Sequence, residues 1–197
     1  TKVKQCLVEK WQQLEFAFPF VEDEEQEQKI ERPLISFLMA TRQRPRLLDN
    51  AIKSIFRNAY YQDDFEIILN VDLDDEETIR ALPNVWRRYG KNLIIVLRPQ
   101  GADMTNYYNN FSANLANGDL VWAINDDASV STQHFDKKVH KVYRDFQEKN
   151  HHKMMYIQCM DVTHAKNNLY KEIGTCFPIL SKEAINALGS FFPSQIE

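Results

Sequence analysis

Five short apolar runs alternate with stretches of helical periodicity, and this alternation narrows the choice of fold more than any other feature of the chain. The runs are LISFLMA (Leu34–Ala40), EIILNV (Glu66–Val71), NLIIVL (Asn92–Leu97), LVWAI (Leu120–Ile124) and MYIQCM (Met155–Met160). None has a 3.6-residue period, and each reads as a short buried strand. Between the first two, Pro45 opens RPRLLDNAIKSIF at a first-turn position, where a missing N–H costs nothing. There Leu47, Leu48, Ala51, Ile52 and Ile55 are predicted to share one face. Asp74, with Glu77 three residues on, predicts the N-cap of DDEETIRAL. Thr105–Asn117 reads as a helix closed by Gly118. Thr132–Lys149 reads as another, with Phe135, Val139, Val142, Tyr143 and Phe146 on one side. Ser181 is predicted to cap a last short helix, KEAINALG. Strands alternating with helices of this length imply βαβ units, hence an α/β fold with a mostly parallel central sheet flanked by helices.

Residues 1–31 follow a different pattern. Val3, Leu7, Trp11 and Leu14 recur at helical spacing, and Val21–Gln28 then carries five acids in eight residues. The division predicted is an N-terminal helix and acidic linker over 1–31 and the main domain over 32–197. No apolar run approaches the roughly 18 residues needed to span a bilayer, and TKVKQCLVEKWQQL lacks the apolar block of a signal peptide. Cys6, Cys159 and Cys176 are odd in number and widely spaced, which suits neither a disulfide framework nor a zinc site. They read as reduced thiols of a cytoplasmic protein. A net charge of −4 argues against a nucleic-acid partner, because phosphate affinity needs clustered Lys and Arg.

In open parallel sheets, ligands bind beyond the carboxyl ends of the strands. Reading the residues at those ends gives Thr41-Arg42-Gln43-Arg44, Asp72 with Asp74-Asp75, Arg98-Pro99-Gln100-Gly101, and Asn125-Asp126-Asp127. Acids crowded on one edge repel unless something neutralises them, and a hard cation with oxygen ligands does so naturally. Arg42, Arg44 and Arg98 on the same edge suit phosphate. Acids, arginines and a metal together suggest a diphosphate ligand. The plainer reading has the acids capping helices and pairing with the arginines at the surface. It is stronger for Asp74 and Asp75, which precede a helix, than for Asp126 and Asp127, which have no capping task. The histidines show no metal spacing, and Tyr107, Tyr108 and Trp122 read as core aromatics rather than a sugar-stacking platform. No P-loop, no G-x-G-x-x-G turn and no G-x-S-x-G elbow occurs.

These residues together resemble a glycosyltransferase of the GT-A fold, most closely the large family-2 group, over roughly Pro33 to Phe192. ISFLMATRQRPRLLDNAIKSI is similar to the group's first strand and turn, with Ala40 in place of a Pro and with Thr41 and Arg44 matching. EIILNVDLDDEET places Asp72 at the strand end where the group carries a base-recognising acid. In NNFSANLANGDLVWAINDDA, Asn110 falls at the group's helix Asn and Gly118-Asp119 at the step into the next strand. Asn125-Asp126-Asp127 falls at the D-x-D motif, with Asn in place of the first acid. GTCFPILSKEAINALGSF resembles the acceptor-side segment.

The resemblance implies transfer of a sugar from a nucleoside-diphosphate donor, with a UDP-sugar favoured, to the hydroxyl of a glycan or other acceptor, with inversion. It implies Mn²⁺ or Mg²⁺ held by Asp127 with Asn125, and donor contacts from Thr41, Arg42, Arg44, Asp72, Asn110 and Asp126. In the group the catalytic base is an acid shortly after the Gly-x-Phe segment. This sequence stops at Glu197, so the catalytic domain is expected to be truncated at its C-terminus and no base is assigned. Two rivals stand beside this reading. A sugar-1-phosphate nucleotidylyltransferase would need a Gly-rich turn that ATRQRPR lacks. A degenerate GT-A domain that binds nucleotide sugar or glycan without turnover is favoured by Asn125 and by the missing base.

Overall fold

The computed structural model describes residues 35–159 and 177–192. Its centre is a six-stranded sheet in the order β3-β2-β1-β4-β6-β5. The strands are β1 (Ile35–Thr41), β2 (Phe65–Asp72), β3 (Leu93–Arg98), β4 (Leu120–Ala123), β5 (Tyr156–Gln158) and β6 (Pro178–Ser181). β1 pairs in parallel with β2 and β4, and β2 with β3. β6 runs antiparallel to both β4 and β5. The mostly parallel sheet is therefore as predicted, and β6 inserts between β4 and the last of the expected strands.

Alternation along the strands sorts side chains into two cores, one on each sheet face. Ile35, Phe37 and Met39 of β1 join Ile52, Phe65, Trp122 and Phe135 on one face. Leu38 joins Ile68, Val121, Leu180 and Phe191 on the other. Trp122 stacks on Phe37 with centroids 5.0 Å apart and meets Phe135 edge-on at 5.8 Å, so its reading as a core aromatic holds. The helices that cover the faces are α1 (Pro45–Asn58), α2 (Glu76–Tyr89), α3 (Phe111–Leu115), α4 (Phe135–Lys149) and α5 (Lys182–Leu188).

Several local expectations need correction. Leu47 and Val142 lie at the edges of their apolar stripes and are exposed. Asp75, not Asp74, caps α2, its carboxylate accepting from Thr78 N at 3.1 Å. The helix expected over Thr105–Asn117 is a π-helical turn, Met104–Asn110, running into the short α3. Asp103 caps that turn by accepting from Thr105 N and Asn106 N, and these bonds lower its carboxyl pKa. Gly118 does not close α3, and its N–H donates to Ser36 Oγ at 2.8 Å instead. α4 begins at Phe135 rather than Thr132, because His134 takes a left-handed φ of 53° that breaks the helix there. Ser181 caps α5 as predicted, accepting from Ala184 N. The N-terminal helix and acidic linker, with Cys6 and Cys176, lie outside the described residues. Burial pushes the Cys159 thiol up to about 12.

One buried polar network fixes how the strands meet at the edge away from the polar loops. Glu66 on β2 accepts from Ser36 Oγ at 2.6 Å and from Asn117 N at 2.6 Å. It also accepts from Asn117 Nδ2 at 3.1 Å. Ser36 in turn accepts from Gly118 N, so β1, β2 and the turn into β4 share one carboxylate. Because a buried donor without a partner costs more than a hydrogen bond returns, Glu66→Ala is predicted to destabilise the fold by about 2–3 kcal/mol. Glu66→Gln, which keeps an acceptor, should cost about 1 kcal/mol. Urea denaturation with an unchanged slope reads both.

Candidate functional site

The parallel register brings the ends of β1, β2 and β4 to one edge, and two linked clusters form there. In the first, Asp126 lies three residues beyond the end of β4 and is fully buried. Thr41, the last residue of β1, donates its hydroxyl to Asp126 Oδ2 at 2.7 Å. Arg44, the N-cap residue of α1, brings Nη2 to within 2.7 Å of Asp126 Oδ1 as an ion pair. Its Nη1 donates to Asp127 Oδ2 at 3.3 Å. Burial pushes the Asp126 carboxyl above the ordinary carboxylate range, against the pull of the Thr41 hydroxyl and the Arg44 charge. Asp127 is 47% exposed and Asn125 is exposed beside it.

In the second cluster Asp72 ends β2 and is buried. Tyr108 donates its phenol hydroxyl to Asp72 Oδ1 at 2.6 Å, and Arg42 Nη1 donates to Oδ2 at 2.8 Å. Arg42 also grips Asp74 through both terminal nitrogens, at 2.7 and 2.8 Å. Hydrogen bonds first to Asp74 and then to Asp72 raise its pKa further above an already high range. Burial, and then the bond to Asp72, raises the Tyr108 phenol. Between the clusters Gln43 adopts φ 56°, a conformation uncommon for a residue with a side chain, and its N–H donates to Asp75 Oδ2 at 2.7 Å. That turn fixes Arg42 towards one acid cluster and Arg44 towards the other.

The structure thus gathers Thr41, Arg42, Arg44, Asp72, Asp126 and Asp127 on the carboxyl edge. Asp74 and Asp75 take the plainer roles expected of them, one paired with Arg42 and one capping α2. Asn110 stands apart from these groups. Its Nδ2 donates to Phe192 O and its Oδ1 accepts from Phe192 N, both at 2.8 Å, so it clasps the chain after α5. Arg98 stands apart too. Its guanidinium lies between the Tyr107 and Phe111 rings, 3.9 Å from each centroid, and donates to the Tyr107 carbonyl. These side chains line a cavity of about 520 Å³ with Asp103 and Asn106. Glycine is required at Gly101, since a Cβ there would collide with the Tyr107 ring.

Sequence reasoning missed Tyr108, which it placed in the core. Tyr108 is buried, but its hydroxyl points at Asp72 and also accepts from Gly101 N at 2.9 Å. The π-helical turn sets that direction, and helical periodicity gives no sign of it. Among the described residues no group of three or more His, Cys, Asp and Glu surrounds a metal position, and no helix is long and apolar enough to cross a membrane.

A parallel-centred α/β sheet with this polar edge is the GT-A fold of glycosyltransferases. Residues 32–188 match the family model described as glycosyltransferase-like family 2, and the chain belongs to that family. Among solved structures, the mannosyltransferase PcManGT from Pyrobaculum calidifontis, in complex with GDP-Man and Mn²⁺, superposes with a TM-score of 0.67 at 14% identity. The match covers 96% of this chain and 55% of the mannosyltransferase. TarS residues 1–349 from S. aureus superpose at 0.59 with 12% identity, over 83% of this chain and 52% of that one. The chain spans about half the length of these solved structures. No curated protein matches the sequence.

The Tyr108–Asp72 bond carries a prediction. Tyr108→Phe removes the donor to a buried carboxylate oxygen and the acceptor of Gly101 N–H, and should destabilise the domain by about 1–2 kcal/mol. Tyr107→Phe removes only a bond to the Pro99 carbonyl at the surface and should cost about 0.5 kcal/mol. Thermal or urea unfolding of the two variants side by side tests the difference.

Proposed function

We propose that this chain forms the donor-binding part of a glycosyltransferase that moves a sugar from a nucleoside diphosphate to an acceptor hydroxyl, with metal assistance and inversion. The observation that carries this reading is the joining of Thr41, Arg44, Asp126 and Asp127 at the edge where a parallel sheet binds ligands. Family membership supports the reaction class. Inversion rests on the family-2 resemblance.

Each residue then has a physical task. Asp72, oriented by Tyr108 and Arg42, keeps lone pairs free to accept an imide N–H, which favours a uracil base and a UDP-sugar. Arg42 and Thr41 frame the base and ribose pocket, and Asp126, which is fully buried, acts by holding Thr41 and Arg44 in place rather than by touching the ligand. Asn110 acts by positioning, holding Phe192 and the chain that follows it. The residues fit a hard cation modestly. Asp127 is half-exposed and held by one long bond, and with the Asn125 amide oxygen it offers two oxygen ligands, as suits an ion that shares its shell with substrate phosphates. Bound there, Mn²⁺ or Mg²⁺ would neutralise the charge that develops on the departing diphosphate. Arg44 stands at the same edge, and its guanidinium suits the diphosphate oxygens once released from Asp127.

A second reading has its own support. Asn125 replaces an acid, and Arg44 already pairs with both Asp126 and Asp127, which suits a degenerate domain that binds nucleotide sugar or glycan without turnover. Calorimetric titration with UDP, GDP, dTDP and CDP, with and without Mn²⁺, tests the site. UDP is expected to bind tightest, with Mn²⁺ tightening it about tenfold, worth about 1.4 kcal/mol, and with that gain lost in Asp127→Ala. No nucleotide binding in the presence of metal overturns the proposal. Metal-dependent release of UDP from a UDP-sugar separates the enzyme from the binding module, which would bind and release the sugar nucleotide intact.

A further inference from the structure

None of the roles proposed above uses the acidic run at Val21–Gln28, and the described residues carry a basic groove that suits it. A cavity of about 580 Å³ opens on the outer face of α4, lined by Tyr61, Lys137, His140, Lys141 and Arg144. It lies at the sheet edge opposite Thr41 and Asp126. His134 N donates to the carbonyl of Asn58 at the far end of α1, and Tyr61 sits in the turn that leads into β2. The groove has a built wall. Asp136 is fully buried, and its carboxylate accepts from Tyr60 N at 2.9 Å and from Tyr61 N at 2.6 Å. Both tyrosines are thereby fixed beside the cations, half their surface still exposed, with Lys137 Nζ 3.0 Å from the Tyr60 ring centroid. Lys137, Lys141 and Arg144 make no ion pair among the described residues. Asp64, Asp119 and the buried Asp136 stand near enough to act on His140, but none forms an ion pair with the three cations among the described residues, and the groove suits an anionic occupant.

We propose that this groove docks the chain's own acidic run, residues 22–27. Charge complementarity is the first ground, since Glu22, Asp23, Glu24, Glu25 and Glu27 put five acids in six residues with no Lys or Arg among them. The second is tethering. β1 begins at Ile35, whose N–H donates to the Asp64 carbonyl, three residues from Tyr61. Seven residues lie between Glu27 and Ile35, so the chain between them reaches up to about 28 Å. A short tether raises the local concentration of the acids to the millimolar range, so surface ion pairs too weak to hold a free partner hold this one. The net charge of −4 repels a free polyanion at long range, and a tethered segment needs no long-range attraction.

Zero-length carbodiimide cross-linking of the full chain at low salt, with peptide mass spectrometry of the separated monomer, tests this. Cross-links from Lys137 or Lys141 to acids in 22–27 are expected in the monomer. They should fall about threefold or more in 1 M salt, where screening reaches about 3 Å. They should fall similarly in Arg144→Glu, and less in Arg144→Gln, although Arg144 itself does not cross-link. Cross-links found only in a dimer fraction would assign the groove to a second copy and overturn the proposal. So would cross-links spread over exposed lysines such as Lys53, Lys91 and Lys149 in proportion to exposure, or cross-links unchanged by Arg144→Glu.

Discussion

Asp126 has no exposed surface, and a carboxylate in that position must find charge and hydrogen bonds within the protein or be protonated. It finds Thr41 at the end of β1 and Arg44 at the start of α1. Those two contacts tie the turn between β1 and α1 to the chain beyond β4, 85 residues from Thr41. Val71 stands beside Thr41 in the register, so the position of Asp72 follows from the same alignment. The turn between Thr41 and Pro45 is then constrained at both ends, and Gln43 accepts an uncommon φ so that its neighbours reach opposite acid clusters. The polar edge is two clusters joined through that turn, one built on the buried Asp126 and the other on the buried Asp72.

A network of this kind carries stress as well as order. A buried charge with partners is weak evidence for stability, because desolvation offsets much of the attraction. Arg44 is half-exposed and divides its charge between a buried acid and an exposed one. Asp72 is held from both sides, by Tyr108 and by an arginine that also grips Asp74. Two guanidinium groups thus offset part of the charge of four carboxylates on this edge before any ligand arrives. A ligand that brings both phosphate and a cation can exchange partners with it at little electrostatic cost, which is the physical basis for reading it as a donor site.

Much of this was legible in the sequence, and what was not has physical causes. Buried parallel strands are continuous apolar runs, so β1, β2, β3 and β4 stand out within a residue or two. Asp126 and Asp127 follow an apolar strand with no capping task, and that mismatch marked them. The details that escaped depend on geometry that periodicity does not encode. Tyr108 reaches Asp72 because the chain takes a π-helical turn. Asp75 caps α2 in place of Asp74 because Asp74 is drawn to Arg42. Leu47 and Val142 share the helical period of their neighbours and still miss the core, since an apolar stripe is wider than the groove that receives it. Asn110 matched a family position, and its amide is engaged by the backbone of Phe192, 82 residues away in the chain. No local pattern could show that.

The most direct test of the account is a crystal structure of the chain grown with UDP and Mn²⁺. The account predicts the uracil ring against Asp72, the diphosphate beside Asp127 with the metal between them, and Arg44 moved off Asp127. A nucleotide bound elsewhere on the domain, or bound with the Arg44–Asp127 pair intact and no metal at Asp127, would contradict it.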